Sequence, residues 1–240
     1  MISQLQLLIR RGPGLFLQSL TRSTLTVPLG DSFYRVPNDR AQAYPIVEST
    51  RKLEQIVDAI PADARRIVDL GGNVGLFSLM AARKCPEAVI ECYEADPLVA
   101  EFAKSNLAPY PNVRLISKAV LRQTGVTTFY RSPLSNQIGS TNRDAVELFG
   151  KAATEMEVPA VGVREALAGE IDFLKVDIQG VEWSVFQDFD FSNVRVAAFE
   201  LSYMDPGVIE LGTKLFEEFR HYRALSAVHA GSDVIFERNA

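Results

Sequence analysis

Short apolar segments alternate with longer segments of helical periodicity along much of the chain. From residue 66 onward, strand-length and helix-length segments follow one another at 66–70, 76–82, 88–94, 98–107 and 113–120. The first, third and fifth have the length of strands, and the other two have the apolar spacing of helices. This order predicts a parallel sheet covered by helices on both faces.

The same alternation returns in the last third of the chain. Two strands and two helices are predicted there, at 171–177, 194–201, 181–186 and 209–222. The final apolar segments, 225–229 and 234–238, are joined by Ala230, Gly231 and Ser232, a spacing typical of a β-hairpin. We therefore expect an antiparallel hairpin at the edge of an otherwise parallel sheet.

The chain before residue 61 is predicted to be a helical or irregular segment that packs on this core. Its clearest element is a helix over 45–59, which Pro61 ends. Leu5–Leu20 has an amphipathic pattern, and we expect it to dock on its own domain, with weak contact to a membrane surface as the alternative. No window has the roughly 18 uncharged apolar residues of a membrane span.

Residues 61–240 are predicted to form one domain with an inserted loop region at 125–160. Within this region, 126–131 has the pattern of a strand. The polar segment 132–142 is expected to be a loop, which either covers the acceptor or is an insertion without a role.

Composition and charge narrow the choice of partners. The 240 residues are 47% hydrophobic and 23% charged, which is typical of a compact domain. The 25 Lys and Arg against 30 Asp and Glu give a net charge of −5, which argues against nucleic acid and favours small ligands. Cys85 and Cys92 form no CxxC pair or metal-ligand cluster, so we expect a reducing, cytoplasmic environment.

A glycine-rich turn follows the first strand of the alternating pattern. In Asp69-Leu70-Gly71-Gly72-Asn73-Val74-Gly75 the strand runs into a turn that opens a helix, where doubly wound folds bring backbone close to a nucleotide. Glu94 ends the next strand, 19 residues beyond Gly75, a separation at which a carboxylate accepts hydrogen bonds from a ribose diol. Taken alone, the glycines equally fit a plain turn, and Glu94 fits an exposed acid at the start of a helix.

The charges beside this turn predict the kind of nucleotide that binds there. A dinucleotide would place a pyrophosphate near Asp69, and two unit charges about 4 Å apart repel by roughly 4 kcal/mol at an effective dielectric constant near 20. The turn contains no Lys or Arg to offset this repulsion, and no GK[ST] motif follows the glycines. A cofactor that carries positive charge and no phosphate, such as S-adenosyl-L-methionine, is favoured.

A second group of charged residues accompanies later strands. Lys175 and Asp177 are two positions apart, so both point to one face, and buried parallel strands seldom carry charges except near their open ends. Glu200 ends the next predicted strand. Because the carboxyl ends of parallel strands share one edge, we expect Asp69, Glu94, Asp177 and Glu200 to converge on one rim, where open α/β sheets bind ligands.

Three motifs together resemble the FkbM-type family of class I S-adenosylmethionine-dependent methyltransferases. They are residues 69–75, 93–97 and 175–182, and the resemblance covers about residues 57–201. It implies an α/β fold of the class I methyltransferase (Rossmann-like) type, a doubly wound, mostly parallel seven-stranded sheet with a C-terminal antiparallel hairpin. It also implies methyl transfer, typically to a hydroxyl group of a small molecule, glycan or glycolipid.

The resemblance further implies which residues bind the cofactor. The methionine end would lie against the glycine turn, the ribose against Glu94, and the adenine beside the segments that follow the second and third strands. The residues concerned are Asp69, Gly71, Gly72, Asn73 and Gly75 at the turn, Glu94 at the ribose, and Ala95, Asp96, Ser117, Lys118 and Ala119 at the adenine. Gln179 stands where many members carry glutamate, so no metal ion is expected.

Asp177 and Lys175 are the candidate catalytic residues. A hydroxyl acceptor must lose a proton near the transition state, and Asp177 would accept this proton or orient the acceptor. Lys175 would hold the charge of Asp177 or stabilise a developing alkoxide. The alternative is an ion network of Lys175, Asp177 and Glu182 that only fixes the turn after the strand.

Two other functions stay open from the sequence. A short-chain NAD-dependent oxidoreductase would need a Tyr-x-x-x-Lys relay, which the sequence lacks, and a non-catalytic module would bind the cofactor without turnover. His221 in the last helix and His229 in a late strand are expected to have surface or packing roles. The aromatic residues Trp183, Phe186 and Phe189 are expected to pack a helix against the sheet.

Overall fold

The computed structural model describes residues 18, 20, 24–38, 43–132, 139–148, 153–202, 204–228 and 231–238. His229, most of segment 5–20 and residues 133–138 of the predicted polar loop lie outside these ranges. No helix within them is both long enough and apolar enough to cross a bilayer.

The strands in chain order are β1 (Thr24–Leu29), β2 (Ser32–Pro37), β3 (Arg66–Leu70), β4 (Val89–Tyr93), β5 (Val113–Ile116), β6 (Ala119–Leu121), β7 (Gly125–Arg131), β8 (Gly139–Ser140), β9 (Thr154–Gly162), β10 (Ile171–Val176), β11 (Val194–Ser202), β12 (His221–Val228) and β13 (Gly231–Glu237). The helices are α1 (Ala43–Asp58), α2 (Leu76–Lys84), α3 (Pro97–Leu107), α4 (Arg143–Glu147), α5 (Val163–Ala166), α6 (Glu182–Phe186) and α7 (Val208–Glu218), with a short 3-10 turn at Phe191–Asn193.

The central sheet has seven strands in the order β12-β13-β11-β10-β3-β4-β5. Strands β11, β10, β3, β4 and β5 are parallel to one another, and β13 is antiparallel to both β11 and β12. This is the mostly parallel sheet with a C-terminal antiparallel hairpin that the sequence predicts, so the predicted fold class is confirmed.

Helices cover this sheet on both faces. Successive residues of a strand point to opposite faces, so each strand packs against both layers of helices. Val68 and Leu174 belong to a buried cluster that includes apolar residues of α6 and α7. Their neighbours Ile67 and Phe173 belong to a second cluster with residues of α1 and α2. The strands are therefore buried on both sides, which explains their nearly continuous apolar sequence.

The aromatic residues after β10 pack as predicted. Phe186 and Phe189 are buried, with ring centroids 5.7 Å apart in an edge-on arrangement. Trp183 packs partly buried against the same cluster. These rings therefore hold α6 against the sheet.

The inserted region, together with β6 just before it, forms a second sheet of four strands in the order β6-β9-β7-β8. Strand β9 is parallel to β6 and antiparallel to β7, and β7 pairs antiparallel with β8. The sequence predicts β7 but not β9, because Pro159 and Gly162 are more typical of turns than of strand interiors.

Two element boundaries predicted from the sequence are wrong. The single strand predicted over 113–120 is two strands, β5 and β6, which belong to different sheets. Between them Ser117 is exposed, and the Lys118 amide donates to the Ile116 carbonyl at 2.9 Å, so the chain turns there. The sequence carries no glycine or proline at this turn to mark it.

The helix predicted over 209–222 ends at Glu218, and His221 therefore lies in β12 rather than in the last helix. The prediction fails because Leu215 and Phe219 are both buried four positions apart, which continues the helical pattern. Phe219 nevertheless has an extended backbone, with φ −108° and ψ 137°.

A β-hairpin of β1 and β2 lies within the segment that was predicted to be helical or irregular. Asn106, on α3, fixes this hairpin from the side. Its Oδ1 accepts from the Arg35 amide at 2.8 Å, and its Nδ2 donates to the carbonyls of Arg35 at 2.9 Å and Val74 at 2.8 Å. Because Val74 belongs to the glycine turn, Asn106 connects the hairpin to that turn.

Candidate active site

Four acidic residues lie at the carboxyl ends of neighbouring parallel strands. Asp69 is the penultimate residue of β3, Glu94 follows β4, Asp177 follows β10, and Glu200 is near the end of β11. These strands are adjacent in the order β11-β10-β3-β4, so their ends meet on one edge of the sheet. The structure thus brings the four acids together on the rim where the sequence places them.

Asp69 and Lys175 form a buried ion pair in the centre of this rim. Asp69 has no accessible surface, and its Oδ2 accepts from Ser78 Oγ at 2.7 Å while its Oδ1 lies 3.2 Å from Lys175 Nζ. Lys175 Nζ also donates to the Gly71 carbonyl at 3.1 Å and lies 3.7 Å from Asp177 Oδ2. Burial alone would lower the pKa of Lys175, but the carboxylates of Asp69 and Asp177 raise it above its usual value, so the ammonium form persists.

The glycine turn is held tightly between two strand ends. The amides of Gly71 and Gly72 both donate to the Tyr93 carbonyl, at 3.0 and 2.8 Å. Gly71 has φ +80°, and a Cβ atom there would lie 1.8 Å from the Asp177 carbonyl oxygen. Asn73 has φ +49° and Gly75 has φ +80°, so three residues of this short turn adopt left-handed conformations.

We expect Gly71→Ala to lower the free energy of unfolding by about 2–5 kcal/mol, as measured by urea denaturation. A positive φ costs an L-residue roughly 1–2 kcal/mol, and the contact with the Asp177 carbonyl forces a backbone shift of about 1–3 kcal/mol. Gly30→Ala is the matched control, because Gly30 has φ +56° but a Cβ atom there would meet no other atom within 4 Å, and it should cost only about 1 kcal/mol. Equal losses for the two variants would contradict the steric part of this prediction.

Glu94 organises the backbone beside the turn. Its two carboxylate oxygens accept from the amides of Asn73 and Asp96, each at 2.7 Å, and the side chain is almost completely buried. Burial raises the pKa of Glu94 to about 7, although the two backbone hydrogen bonds oppose this shift. Glu94 therefore changes charge near neutral pH, and each of its oxygens keeps a lone pair for a further donor.

The residues predicted beside the adenine lie after β4 and around the turn between β5 and β6. Asp96 caps α3 by accepting from the Leu98 amide at 2.8 Å, and it forms an ion pair with Arg131 of β7. The other residues differ in exposure, with Ser117 exposed, Ala95 and Lys118 half-buried, and Ala119 buried. The Asp96–Arg131 pair, which the sequence does not predict, connects the small sheet to this side of the site.

The segment after β10 has a strained and well-connected backbone. Gln179 has φ +59° and Gly180 has φ +86°, and the Gln179 Nε2 amide donates to Asp177 Oδ1. Glu182 is buried and accepts from the amides of Ile178 at 3.0 Å and Gly180 at 2.9 Å. The ion network of Lys175, Asp177 and Glu182 was the alternative to a catalytic role. The structure has its contact between Lys175 and Asp177, while Glu182 accepts from backbone amides and stabilises the turn.

Lys52 and Asp233 extend the rim, and neither was predicted from the sequence. Lys52 Nζ of α1 lies 2.9 Å from Asp233 Oδ2 of β13 and 3.5 Å from Glu200 Oε1. Burial would lower the pKa of Lys52, but the carboxylates of Glu200, Asp177 and Asp233 raise it. Asp233 lies beside the apolar run of β13, so it could have been predicted by the reasoning applied to Glu200, an acid at the end of a buried strand. Lys52 could not, because it is one of several polar residues on an amphipathic helix.

Asp177 and Glu200 have opposite tendencies to ionise. Burial opposes the charge of Asp177, but the ammonium groups of Lys175 and Lys52 lower its pKa. The charge of Asp177, followed by burial, raises the pKa of Glu200 to about 9. Within the described ranges, no group of three or more His, Cys, Asp or Glu side chains is arranged to hold a metal ion.

Comparison with curated proteins finds methyltransferases. Methyltransferase 1 of Beauveria bassiana is 24% identical over 160 residues, covering 58% of this chain and 64% of the relative. Methyltransferase sdnD of Sordaria araneosa is 27% identical over 179 residues, covering 59% and 69%. Ribosomal RNA large subunit methyltransferase G of Aliivibrio salmonicida is 40% identical over 70 residues, covering 27% and 18%. The chain thus spans less than two-thirds of the first relative and less than a fifth of the bacterial one.

Comparison with solved structures supports the same fold. A proposed O-methyltransferase from Klebsiella pneumoniae matches with a TM-score of 0.51 at 16% identity, covering 80% of each chain. The family model of the methyltransferase FkbM domain matches residues 69–227, a range that contains the glycine turn and all four acids first placed on the rim. This chain therefore belongs to the FkbM family of S-adenosyl-L-methionine-dependent methyltransferases, and the family and cofactor predicted from the sequence are confirmed.

Proposed function

We propose that this protein transfers a methyl group from S-adenosyl-L-methionine to a hydroxyl group of a small molecule, glycan or glycolipid. The charge of the rim is the observation that carries this proposal. Acids stand at the ends of four neighbouring strands, and Lys175, beside the glycine turn, is already paired with Asp69. Such a site favours a ligand that carries positive charge and lacks phosphate.

The residues of the glycine turn and of the segment after β4 fit this cofactor. When bound, it supplies a methyl group on a positively charged sulfur. The partial exposure of Gly71 and Asn73 supports contact with its methionine end, and the desolvated carboxylate of Glu94 supports acceptance of hydrogen bonds from its ribose hydroxyls. The complete set proposed for the cofactor is Asp69, Gly71, Gly72, Asn73, Gly75, Glu94, Ala95, Asp96, Ser117, Lys118 and Ala119.

The affinity for S-adenosyl-L-homocysteine is expected to fall as the pH drops below 7. The pKa of Glu94 is about 7, and its ionised form accepts hydrogen bonds from the ribose hydroxyls better, so the dissociation constant should rise by up to about tenfold per pH unit below that value. Isothermal titration calorimetry between pH 5.5 and 8 measures this dependence. Glu94→Gln should bind more weakly at pH 8 and show a flat profile, and a wild-type profile that is equally flat would remove Glu94 from the ribose site.

At the acceptor side, Asp177 would orient the hydroxyl group. Its side chain is 26% exposed, and the two lysines hold its pKa low, so it is a carboxylate at neutral pH. A carboxylate with a lowered pKa is a weak base. Asp177 is therefore proposed to accept a hydrogen bond from the acceptor and to take its proton only when the oxygen has become more acidic in the transition state.

An RNA acceptor is the alternative that the experiment must include. Two bacterial relatives named as RNA methyltransferases match short stretches of this chain, 70 residues in one and 54 residues at 37% identity in the tRNA1(Val) (adenine(37)-N6)-methyltransferase of Porphyromonas gingivalis. The net charge of −5 favours a small acceptor over a polyanion, so the absence of nucleic acid as a partner stays a prediction.

The decisive experiment is product analysis with the full chain and S-adenosyl-L-methionine labelled in its methyl group. Parallel incubations contain a small-molecule and glycan extract or total RNA, and mass spectrometry locates the label. Label on a hydroxyl oxygen of a small molecule or glycan supports the proposal, and label only in RNA overturns it. A thermal-shift control with S-adenosyl-L-homocysteine tests the non-catalytic module, which would be stabilised by this ligand without forming labelled product, since a ligand at 100 times its dissociation constant stabilises the fold by about 2.7 kcal/mol.

A further inference from the structure

Two carboxyl groups, those of Asp177 and Glu200, are neighbours on the rim. A single nitrogen, Gln179 Nε2, lies near both acids, donating to Asp177 Oδ1 and lying 3.5 Å from Glu200 Oε2. An ionised carboxylate only accepts hydrogen bonds, so these two neighbouring acids can bond to each other only when one of them carries a proton.

The charged groups on every neighbouring element favour Glu200 as the carrier of this proton. On the β10 side, Lys175 Nζ lies 3.7 Å from Asp177 Oδ2. On the α1 and β13 side, Lys52 lies 3.5 Å from Glu200 but closer, at 2.9 Å, to Asp233. Each acid shares its nearest lysine with a second carboxylate, Glu200 with Asp233 and Asp177 with Asp69. Asp177 differs in that the Gln179 amide donates to it at close range, while the same amide lies 3.5 Å from Glu200.

The balance of charge on the rim points the same way. The ion-paired part of the rim, to which Glu94 does not belong, contains the carboxyl groups of Asp69, Asp177, Glu200 and Asp233 against the ammonium groups of Lys52 and Lys175. With each of these groups ionised, this part of the rim would hold two uncompensated negative charges, and burial makes each of them costly. One bound proton halves that excess.

We propose that Glu200 is protonated in the folded protein and donates a hydrogen bond to Asp177, which makes Glu200 a positioning residue for an acceptor whose reacting group is neutral. Asp177 stays ionised, with its Oδ1 accepting from Gln179 and the accessible part of the carboxylate left for the acceptor. An anionic reacting group, such as a carboxylate or phosphate, would be repelled by Asp177. The acceptor class depends on the proposed function, but the protonation of Glu200 does not.

Infrared spectroscopy of the full-length chain without ligand tests the protonation directly. At pH 8 the other buried glutamates, Glu94 and Glu182, have pKa values of about 7 and are mostly ionised, whereas Glu200 has not yet lost its proton. We expect a carboxylic acid C=O band at pH 8 that disappears in Glu200→Gln. Glu94→Gln is the matched control and should retain the band.

The outcomes of this experiment are separable. A band that is absent from the wild type at pH 8, or that survives in Glu200→Gln, overturns the protonation of Glu200. Failure of the proposed function has a different signature, namely no binding of S-adenosyl-L-homocysteine by a protein whose acid band behaves as expected. A wild-type enzyme that methylates a carboxylate or phosphate oxygen would overturn the inference about the acceptor while leaving the protonation in place.

The dependence of stability on pH gives a second measurement. The folded-state pKa of Glu200 lies above the usual value of 4.5, so the folded protein keeps a proton that the unfolded chain releases. The stability that this proton contributes is therefore lost as the pH rises from about 5 to about 9. Over this range the equilibrium constant for folding should fall by up to about tenfold per pH unit, and above it the loss should stop. The difference between wild type and Glu200→Gln should follow this course, and a constant difference contradicts the proposal.

Lys52→Met keeps the proposal testable if Glu200→Gln does not fold. Lys52 lowers the pKa of Glu200, so its removal should move the disappearance of the acid band to higher pH. An unchanged midpoint would show that the protonated acid is not the one beside Lys52.

Discussion

Lys175→Met is expected to lower the free energy of unfolding by about 3–5 kcal/mol. Asp69 has no accessible surface, so the substitution leaves its carboxylate buried without a cation. Removing one partner of a buried ion pair has a cost of this size. Ser78 Oγ would still donate to Asp69, but one neutral hydrogen bond does not replace the ammonium group. Urea denaturation monitored by circular dichroism measures the loss.

Two further variants separate the effect of charge from that of side-chain removal. Asp69→Asn combined with Lys175→Met removes both charges, and the double variant should recover at least half of the lost stability because replacing a whole buried pair is often nearly neutral. Arg122→Met breaks the exposed pair with Asp188 and should cost less than about 0.5 kcal/mol. If Lys175→Met is as mild as Arg122→Met, Asp69 is not a buried anion.

Asp177→Asn is expected to lower turnover by about 10²-fold or more and to leave the dissociation constant of S-adenosyl-L-homocysteine within about threefold. Asparagine keeps the size of the side chain but presents an amide where the acceptor hydroxyl needs a negative charge. The contact of Asp177 with Lys175 is made by the side chain, while the glycine turn faces its backbone carbonyl, so the turn should persist. Steady-state kinetics with the acceptor found by product analysis, together with calorimetry, provides both numbers.

Asp188→Asn is the control for this variant, because Asp188 is an exposed acid paired with Arg122. It should change neither turnover nor affinity. Wild-type turnover in Asp177→Asn would favour the structural interpretation, in which Lys175 and Asp177 only fix the end of β10. A large loss of affinity would instead place Asp177 in the cofactor site.

The alternation of short and long apolar segments was sufficient to predict the central sheet. Buried parallel strands need apolar residues on both faces, so β3, β10 and β11 stand out as continuous apolar runs. Charged residues at the ends of such runs, including Asp69 and Glu200, can only lie on the rim, which is why the convergence of the acids was predictable without coordinates. The glycine turn was predicted because a strand runs directly into the glycines. The structure explains one of them, since the Asp177 carbonyl leaves no room for a Cβ atom at Gly71.

Contacts between distant parts of the chain could not be predicted in this way. Lys52 reaches Glu200 and Asp233 only because α1 packs with α2 against one face of the sheet, which brings Lys52 to the carboxyl edge. The sequence of α1 itself shows only an amphipathic helix. Arg131 meets Asp96 only after the inserted region has folded into its own sheet. The hairpin of β1 and β2 was predictable in principle, since apolar residues alternate in β1, but its prolines and glycine resembled an irregular segment.

The side chain of Asn106 joins the β1–β2 hairpin and the glycine turn through hydrogen bonds to Arg35 and Val74. One amide group holds both partners, so displacement of either one disturbs the side chain that fixes the other. By thermodynamic reciprocity, any ligand that rigidifies the turn also slows amide hydrogen exchange in a hairpin that it never touches. Occupancy of the cleft would thus be detectable at the amino-terminal side of the molecule.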